Sequence, residues 1–112
     1  MKDKEIIDGW TDGKIVYWDS ISAYENLSEE FIGKYSDSVS WDFICMYQDL
    51  SEEFIEKYKE KIDWKVISKH RYMSEAFILS MIDILTEEIF DNKNYARLSD
   101  KTKRILEFKF RR

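Results

Sequence analysis

The sequence predicts an all-α fold of tandem helix pairs, forming a short α-solenoid or a compact helical array. Trp18, Trp41 and Trp64 stand 23 residues apart and open the segments WDSISAYENLSEEFIGKYSDSVS (18–40), WDFICMYQDLSEEFIEKYKEKID (41–63) and WKVISKHRYMSEAFILSMIDILT (64–86). Matching residues recur in phase, including Ile21/Ile44/Ile67, Leu27/Leu50/Met73, Ser28/Ser51/Ser74, Glu29/Glu52/Glu75, Phe31/Phe54/Phe77 and Ile32/Ile55/Ile78. No proline interrupts the chain. A fixed period of this length marks stacked supersecondary units, each burying its apolar face against the next. The expected organisation is one helical-repeat domain over 1–112, with units 18–40, 41–63 and 64–86 and a degraded unit with a basic tail over 87–112.

Within each unit the first helix is expected to begin at the tryptophan and run about eight residues. Trp41, Ile44 and Tyr47 then share a face at i, i+3 and i+6. Ser40 and Asp63 stand where an N-cap side chain would accept from first-turn amides. The second helix opens at Leu-Ser-Glu-Glu, with Ser28 and Ser51 as N-caps and the glutamates at the positive end of the helix dipole. Leu27 with Ile32, and Leu50 with Ile55, occupy hydrophobic-staple positions. Leu50, Phe54, Tyr58 and Ile62 extend one apolar stripe at four-residue spacing. Gly9 and Gly13 bracket a turn ahead of the first unit, whereas Gly33 falls inside a helix.

The third unit departs from the others. SEAFILSMIDILTEEIF, Ser74 to about Phe90, reads as one long helix with little polar face. Such a helix is buried on several sides, as a central core helix or a homodimer seam through 74–90. Asp91–Asn94 is expected to be a loop, Leu98-Ser99-Asp100 a fourth helix start, and ILEFKFRR a helix rather than a strand against Lys14–Tyr17.

The pattern DW-x-x-IS-x-Y-x-x-LSEEFI-x-x-Y, carried by Trp41–Tyr58 and less fully by Trp18–Tyr35 and Trp64–Met81, resembles a short repeat of bacteriophage and large-DNA-virus proteins. The resemblance covers about two thirds of the chain. It implies a viral or mobile-element origin and carries no catalytic residues. The third unit departs most, with Lys65 for Asp, His70 for Tyr and Ala76 for Glu.

Aromatic residues form 16 % of the 112-residue chain, supplying large surfaces for a modest core, and charged residues form 37 %. No apolar run reaches membrane-spanning length, and MKDKEIIDGW lacks the apolar core of a secretory signal. The single Cys45 cannot form an internal disulfide, which fits a reducing cytoplasm. Residues 1–100 carry 12 Lys/Arg and 22 Asp/Glu, a net charge of −10, while 101–112 carry +5. The acidic body disfavours direct nucleic-acid binding and suits a partner protein with a basic surface.

No residue set spells out a reaction, so no catalytic residue, cofactor site or metal site is assigned. His70 falls on the Tyr24/Tyr47 position and is expected to be partly buried; Cys45 shares its position with Ser22 and Ser68 and is expected to be half-buried. Zinc would require a Cys/His set that the chain lacks. The repeated Glu29–Glu30 and Glu52–Glu53 pairs are explained by helix capping. Glu52, Glu56, Glu60 and Asp63 fall at i, i+4, i+8 and i+11, and with Glu53 they are the candidate partner-binding residues. The expected function is a non-catalytic inhibitor that covers a basic surface of a host defence or nucleic-acid-handling protein, as anti-CRISPR proteins do. The alternatives are a nucleic-acid-binding regulator using the basic C-terminus and a structural homo-oligomer.

Overall fold

The computed structural model describes residues 2–112, which divide into two units, one ending at Ile62 and the other beginning at Asp63. Among the described residues every regular element is helical, and the sole β pairing is an isolated antiparallel bridge between Thr11 and Val16. The first unit holds α1 (Lys2–Gly9), α2 (Trp18–Tyr24), α3 (Glu29–Lys34), α4 (Trp41–Tyr47) and α5 (Glu52–Lys57). The second holds α6 (Trp64–His70), α7 (Glu75–Ser80), 3-10 turns at Glu87–Asp91 and Tyr95–Arg97, and α8 (Asp100–Phe110). The repeating Trp-led helix pair read from the sequence is therefore the observed element.

The second helices start as expected. Ser28, Ser51 and Ser74 accept the amides of Phe31, Phe54 and Phe77 at 3.0–3.2 Å. Ser99 does the same for Thr102, so the fourth, degraded start at Leu98-Ser99-Asp100 is real and opens α8. Asp63 caps α6 by accepting from the Val66 amide. Ser40 makes no side-chain cap; its own amide donates to the Ser22 hydroxyl at 2.9 Å.

The second helices end earlier than their apolar stripes suggest. α5 stops at Lys57, and Tyr58 and Ile62 follow in a turn in which the Lys61 and Ile62 amides donate to the Tyr58 carbonyl. The expected long helix over Ser74–Phe90 is likewise absent. α7 stops at Ser80, in the same register as α3 and α5, and Thr86 turns extended with its amide on the Ser68 hydroxyl at 3.1 Å. That bond repeats the one between Ser40 and Ser22, so the chain leaves the helix to keep the period of the stack. Much of the apolar excess then turns inward: Met81, Leu85 and Ile89 are buried, Leu85 at the position that Val39 and Ile62 bury in the earlier repeats.

In the first unit the core forms around Ile21, Phe31, Ile32, Ile44 and Phe54. Trp18 and Trp41 are half-buried rather than fully enclosed. Each lies against the Phe of its own second helix and the Tyr just beyond that helix: Trp18 on Phe31 and Tyr35, Trp41 on Phe54 and Tyr58. In the second unit Trp64 itself is buried.

Three polar devices recur between successive repeats. The hydroxyl of Ser22 or Ser68 receives the amide opening the next repeat, as above. The carboxylate of Glu29 accepts the amide (2.6 Å) and the hydroxyl (3.1 Å) of Ser51 on its two oxygens, and Glu75 accepts the same two groups of Ser99 on one oxygen at 2.9 and 2.8 Å. Glu29 and Glu75 thus clamp the N-cap serine one repeat ahead, a role beyond the dipole effect expected from sequence. Finally, buried Gln48 donates to the carbonyls of Ser22 and Glu25 and accepts the Leu27 amide. Asn92 reproduces the donations on Ser68 and Arg71.

Candidate protein-binding surface

Because the repeats are so alike, surface chemistry arises where they differ. On the outer face of α2 the first repeat has Ser20 and Ala23 where the second has Phe43 and Met46. The small pair forms the floor of an open groove of about 480 Å³ between α2 and α4, lined also by Asp19, Tyr24, Phe43 and Tyr47. One wall is Tyr24, stacked on Trp10 at 6.0 Å, with the indole Nε1–H of Trp10 held by Glu25 at 2.7 Å. The other is Phe43 stacked on Tyr47 at 6.1 Å. Among the described residues no ring contact joins the two walls, so the groove stands open between two aromatic stacks.

Tyr24 is 77 % exposed and Tyr47 60 % exposed. The equivalent His70 is exposed too, correcting the expectation of a partly buried ring at this position. The error has a physical source. The Tyr/Tyr/His position shares a helical face with the tryptophan in projection, but the seven-residue first helix ends there, leaving the side chain at the rim. Cys45 departs in the other direction: it is fully buried, not half-buried.

The acidic residues expected to meet a partner are placed differently from one continuous stripe. Glu52, Glu53 and Glu56 lie on α5, with Glu53 and Glu56 exposed. Glu60 is exposed in the turn beyond the helix, and Asp63 begins the second unit as the cap of α6. Glu53 also borders a separate groove between α3 and α5, with Glu29, Glu30 and Lys57. Charge follows the division between units. Residues 1–62 carry 7 Lys/Arg against 15 Asp/Glu, net −8, whereas 63–112 carry 11 against 8, net +3.

The basic C-terminal residues fall into two sets around α8. Lys103 and Lys109 donate to the carbonyls of Ala96 and Ile82, and Arg112 lies 4.1 Å above the Phe90 ring and 3.5 Å from Glu87. Lys101, Arg104 and Phe108 are exposed at i, i+3 and i+7 along α8, with Phe108 82 % exposed, and Arg111 is exposed in the left-handed cap beyond it. Among the described residues no three His, Cys, Asp or Glu side chains gather as a metal site would need, and no helix is long and apolar enough to cross a membrane.

Glu75 is the acidic group whose environment is most telling. The Ser99 amide, the Thr102 hydroxyl and the Ser99 hydroxyl, in that order, hold its carboxyl below the ordinary value. Its charge is used internally as a clamp. No protein family, curated protein or solved structure matches this chain.

Of the surface just described, sequence reasoning located the acidic residues and missed the groove. Trp10 lies outside the repeats, and the floor is visible only as two small residues facing two large ones.

Proposed function

We propose that this chain is a non-catalytic protein-binding repeat protein that captures a basic surface of another protein. The observation that carries this is the exposed aromatic groove Tyr24–Phe43–Tyr47 on a unit of net charge −8. Interfaces draw their anchors from aromatic side chains, and opposite charge steers the encounter. In its fuller form, resting on the resemblance to viral repeat proteins, the chain is encoded by a phage or mobile element. It acts in the host cytoplasm, inhibiting a defence or nucleic-acid-handling protein in the manner of anti-CRISPR proteins.

The test begins with the host protein that co-purifies with the chain. Its affinity and association rate are measured across a salt series for wild type, for Tyr47→Ala and for the exposed triple change Glu53→Lys, Glu56→Lys, Glu60→Lys. Tyr47→Ala should weaken binding roughly tenfold or more, as loss of an aromatic anchor does. The triple variant should slow association and flatten its salt dependence. Binding indifferent to both changes and to salt defeats the proposal.

A second reading is favoured by the exposed Lys101, Arg104 and Phe108 on one stretch of α8, in which cations precede an exposed ring, with Arg111 exposed in the cap beyond. That combination suits single-stranded nucleic acid, which takes stacking and phosphate contacts together. Salt-sensitive binding of a thymidine oligonucleotide, lost in Phe108→Ala, would favour it over protein capture.

A further inference from the structure

We propose that the groove between α2 and α4 receives the guanidinium of an arginine displayed by the partner. This inference deepens the protein-binding reading above and rests on it. Three aromatic rings line the groove, Tyr24 braced by Trp10 and Tyr47 paired with Phe43, and the faces of such rings carry the negative side of the ring quadrupole. Ser20 and Ala23 add only small side chains to the lining, which leaves the groove open to an entering group. Asp19 lines the same groove and supplies a carboxylate.

Each feature narrows the ligand. A phosphate or carboxylate group would meet Asp19 and a unit of net charge −8. A purely apolar side chain would satisfy the rings and leave the carboxylate unused. An ammonium would pair with Asp19, but it is compact and strongly hydrated, and it makes less use of an aromatic lining than a planar cation does. The guanidinium is planar and weakly hydrated, stacks on aromatic rings and forks onto a carboxylate, so it uses the whole lining.

The repeat comparison supports a built feature. At the floor positions the second repeat carries Phe43 and Met46 and the third Val66 and Lys69. Only the first repeat, the one next to Trp10, has two small residues there.

The probe is the peptide acetyl-Gly-Arg-Gly-amide, compared with its lysine and citrulline counterparts, titrated into the full chain while the ring signals of Tyr24, Phe43 and Tyr47 are followed by NMR. Citrulline keeps the shape of arginine and removes its charge. The arginine peptide should shift those rings and bind about fivefold or more tighter than citrulline, with lysine between them. Ser20→Phe, which fills the floor with the residue the second repeat carries, should abolish the shifts in a chain that keeps its helical circular dichroism. Asp19→Asn, a smaller change, should weaken binding about threefold to tenfold. Equal binding of citrulline and arginine, or full binding by Ser20→Phe, overturns the inference.

The co-purified protein separates this inference from the reading beneath it. If Ser20→Phe loses that protein while the arginine peptide leaves the rings unmoved, the arginine receptor falls and the protein-binding reading stands. If the peptide binds as described while Ser20→Phe retains the protein at full affinity, the groove takes arginine and is not the partner's site.

Discussion

Replacing Gln48 should damage the first unit more than any exposed change, although its position in the repeats, shared with Glu25 and Arg71, looks indifferent in the sequence. The side chain is 3 % exposed. Its Nε2 donates to the Ser22 carbonyl at 2.9 Å and the Glu25 carbonyl at 2.7 Å, and its Oε1 accepts the Leu27 amide at 3.0 Å. Gln48→Met keeps the bulk and removes these three bonds. Bonds of this kind contribute about 0.5–1.5 kcal/mol each, and stranding a buried amide such as that of Leu27 costs about 1–3 kcal/mol. With these bonds lost and the Leu27 amide stranded, the expected loss is about 3 kcal/mol, large against the roughly 5–15 kcal/mol of a whole domain. Gln48→Ala adds a cavity and should cost about 1–2 kcal/mol more. Urea unfolding followed by tryptophan fluorescence gives the stability, and hydrogen exchange at the Leu27 amide tells whether the loss is local to the α2–α3 connection. A Met variant within about 0.5 kcal/mol of wild type, with the Leu27 amide still protected, would refute the assignment of Gln48 as a structural staple.

Gly33→Ala should fail to give the roughly 1 kcal/mol that Ala normally gains over Gly inside a helix, because the new Cβ would stand 2.7 Å from the Tyr58 hydroxyl oxygen. In a Tyr58→Phe background the gain should reappear, which a double-mutant cycle in urea reads directly. Glu75 has a depressed carboxyl pKa, so its clamp on Ser99 is fully present above the ordinary glutamate value of 4.5 and is lost as pH falls through the lowered folded value. Protection of the Ser99 amide, taken relative to its intrinsic exchange rate at each pH, should therefore fall below that range in wild type, and Glu75→Gln should flatten the dependence. Trp41→Ala should lower stability by about 3 kcal/mol, the lower end for a large aromatic, since Trp41 is half-buried and also loses its indole bond to the Ser36 carbonyl at 2.9 Å. A melting temperature unchanged in that variant would argue against its packing role.

What the sequence disclosed is what depends on local chemistry repeated in phase. The tryptophan starts, the serine caps and the buried Ile21, Ile44 and Ile67 each rest on residues a few positions apart. The helix ends were hidden, since neither proline nor glycine marks them. α5 stops where the Tyr58 ring settles against Trp41 and Phe54, and α7 stops so that Thr86 can reach Ser68. Those are contacts between distant residues, and periodicity alone runs straight through them. The acidic stripe inherited the same error, because its i, i+4, i+8 spacing assumed a helix that continues past Lys57. The groove was illegible for another reason: its chemistry is a contrast between Ser20/Ala23 and Phe43/Met46, completed by Trp10 from outside the pattern.

The clamps between neighbouring repeats also bear on how such a chain can change over generations. Every connection from Glu29 to Ser51, Gln48 to Leu27, Ser22 to Ser40 or Glu75 to Ser99 spans 18 to 24 residues, one period or slightly less or more. A tandem copy of the first repeat would bring its own serine cap (Ser28), its own glutamate for the next serine (Glu29) and its own hydroxyl for the next amide (Ser22). An insertion of ten or fifteen residues at the same place would strand all three. Length can therefore vary in steps of one repeat while the stacking chemistry stays intact. Each added copy would also offer fresh outer positions, equivalent to Ser20 and Ala23, on which a different binding specificity could be written.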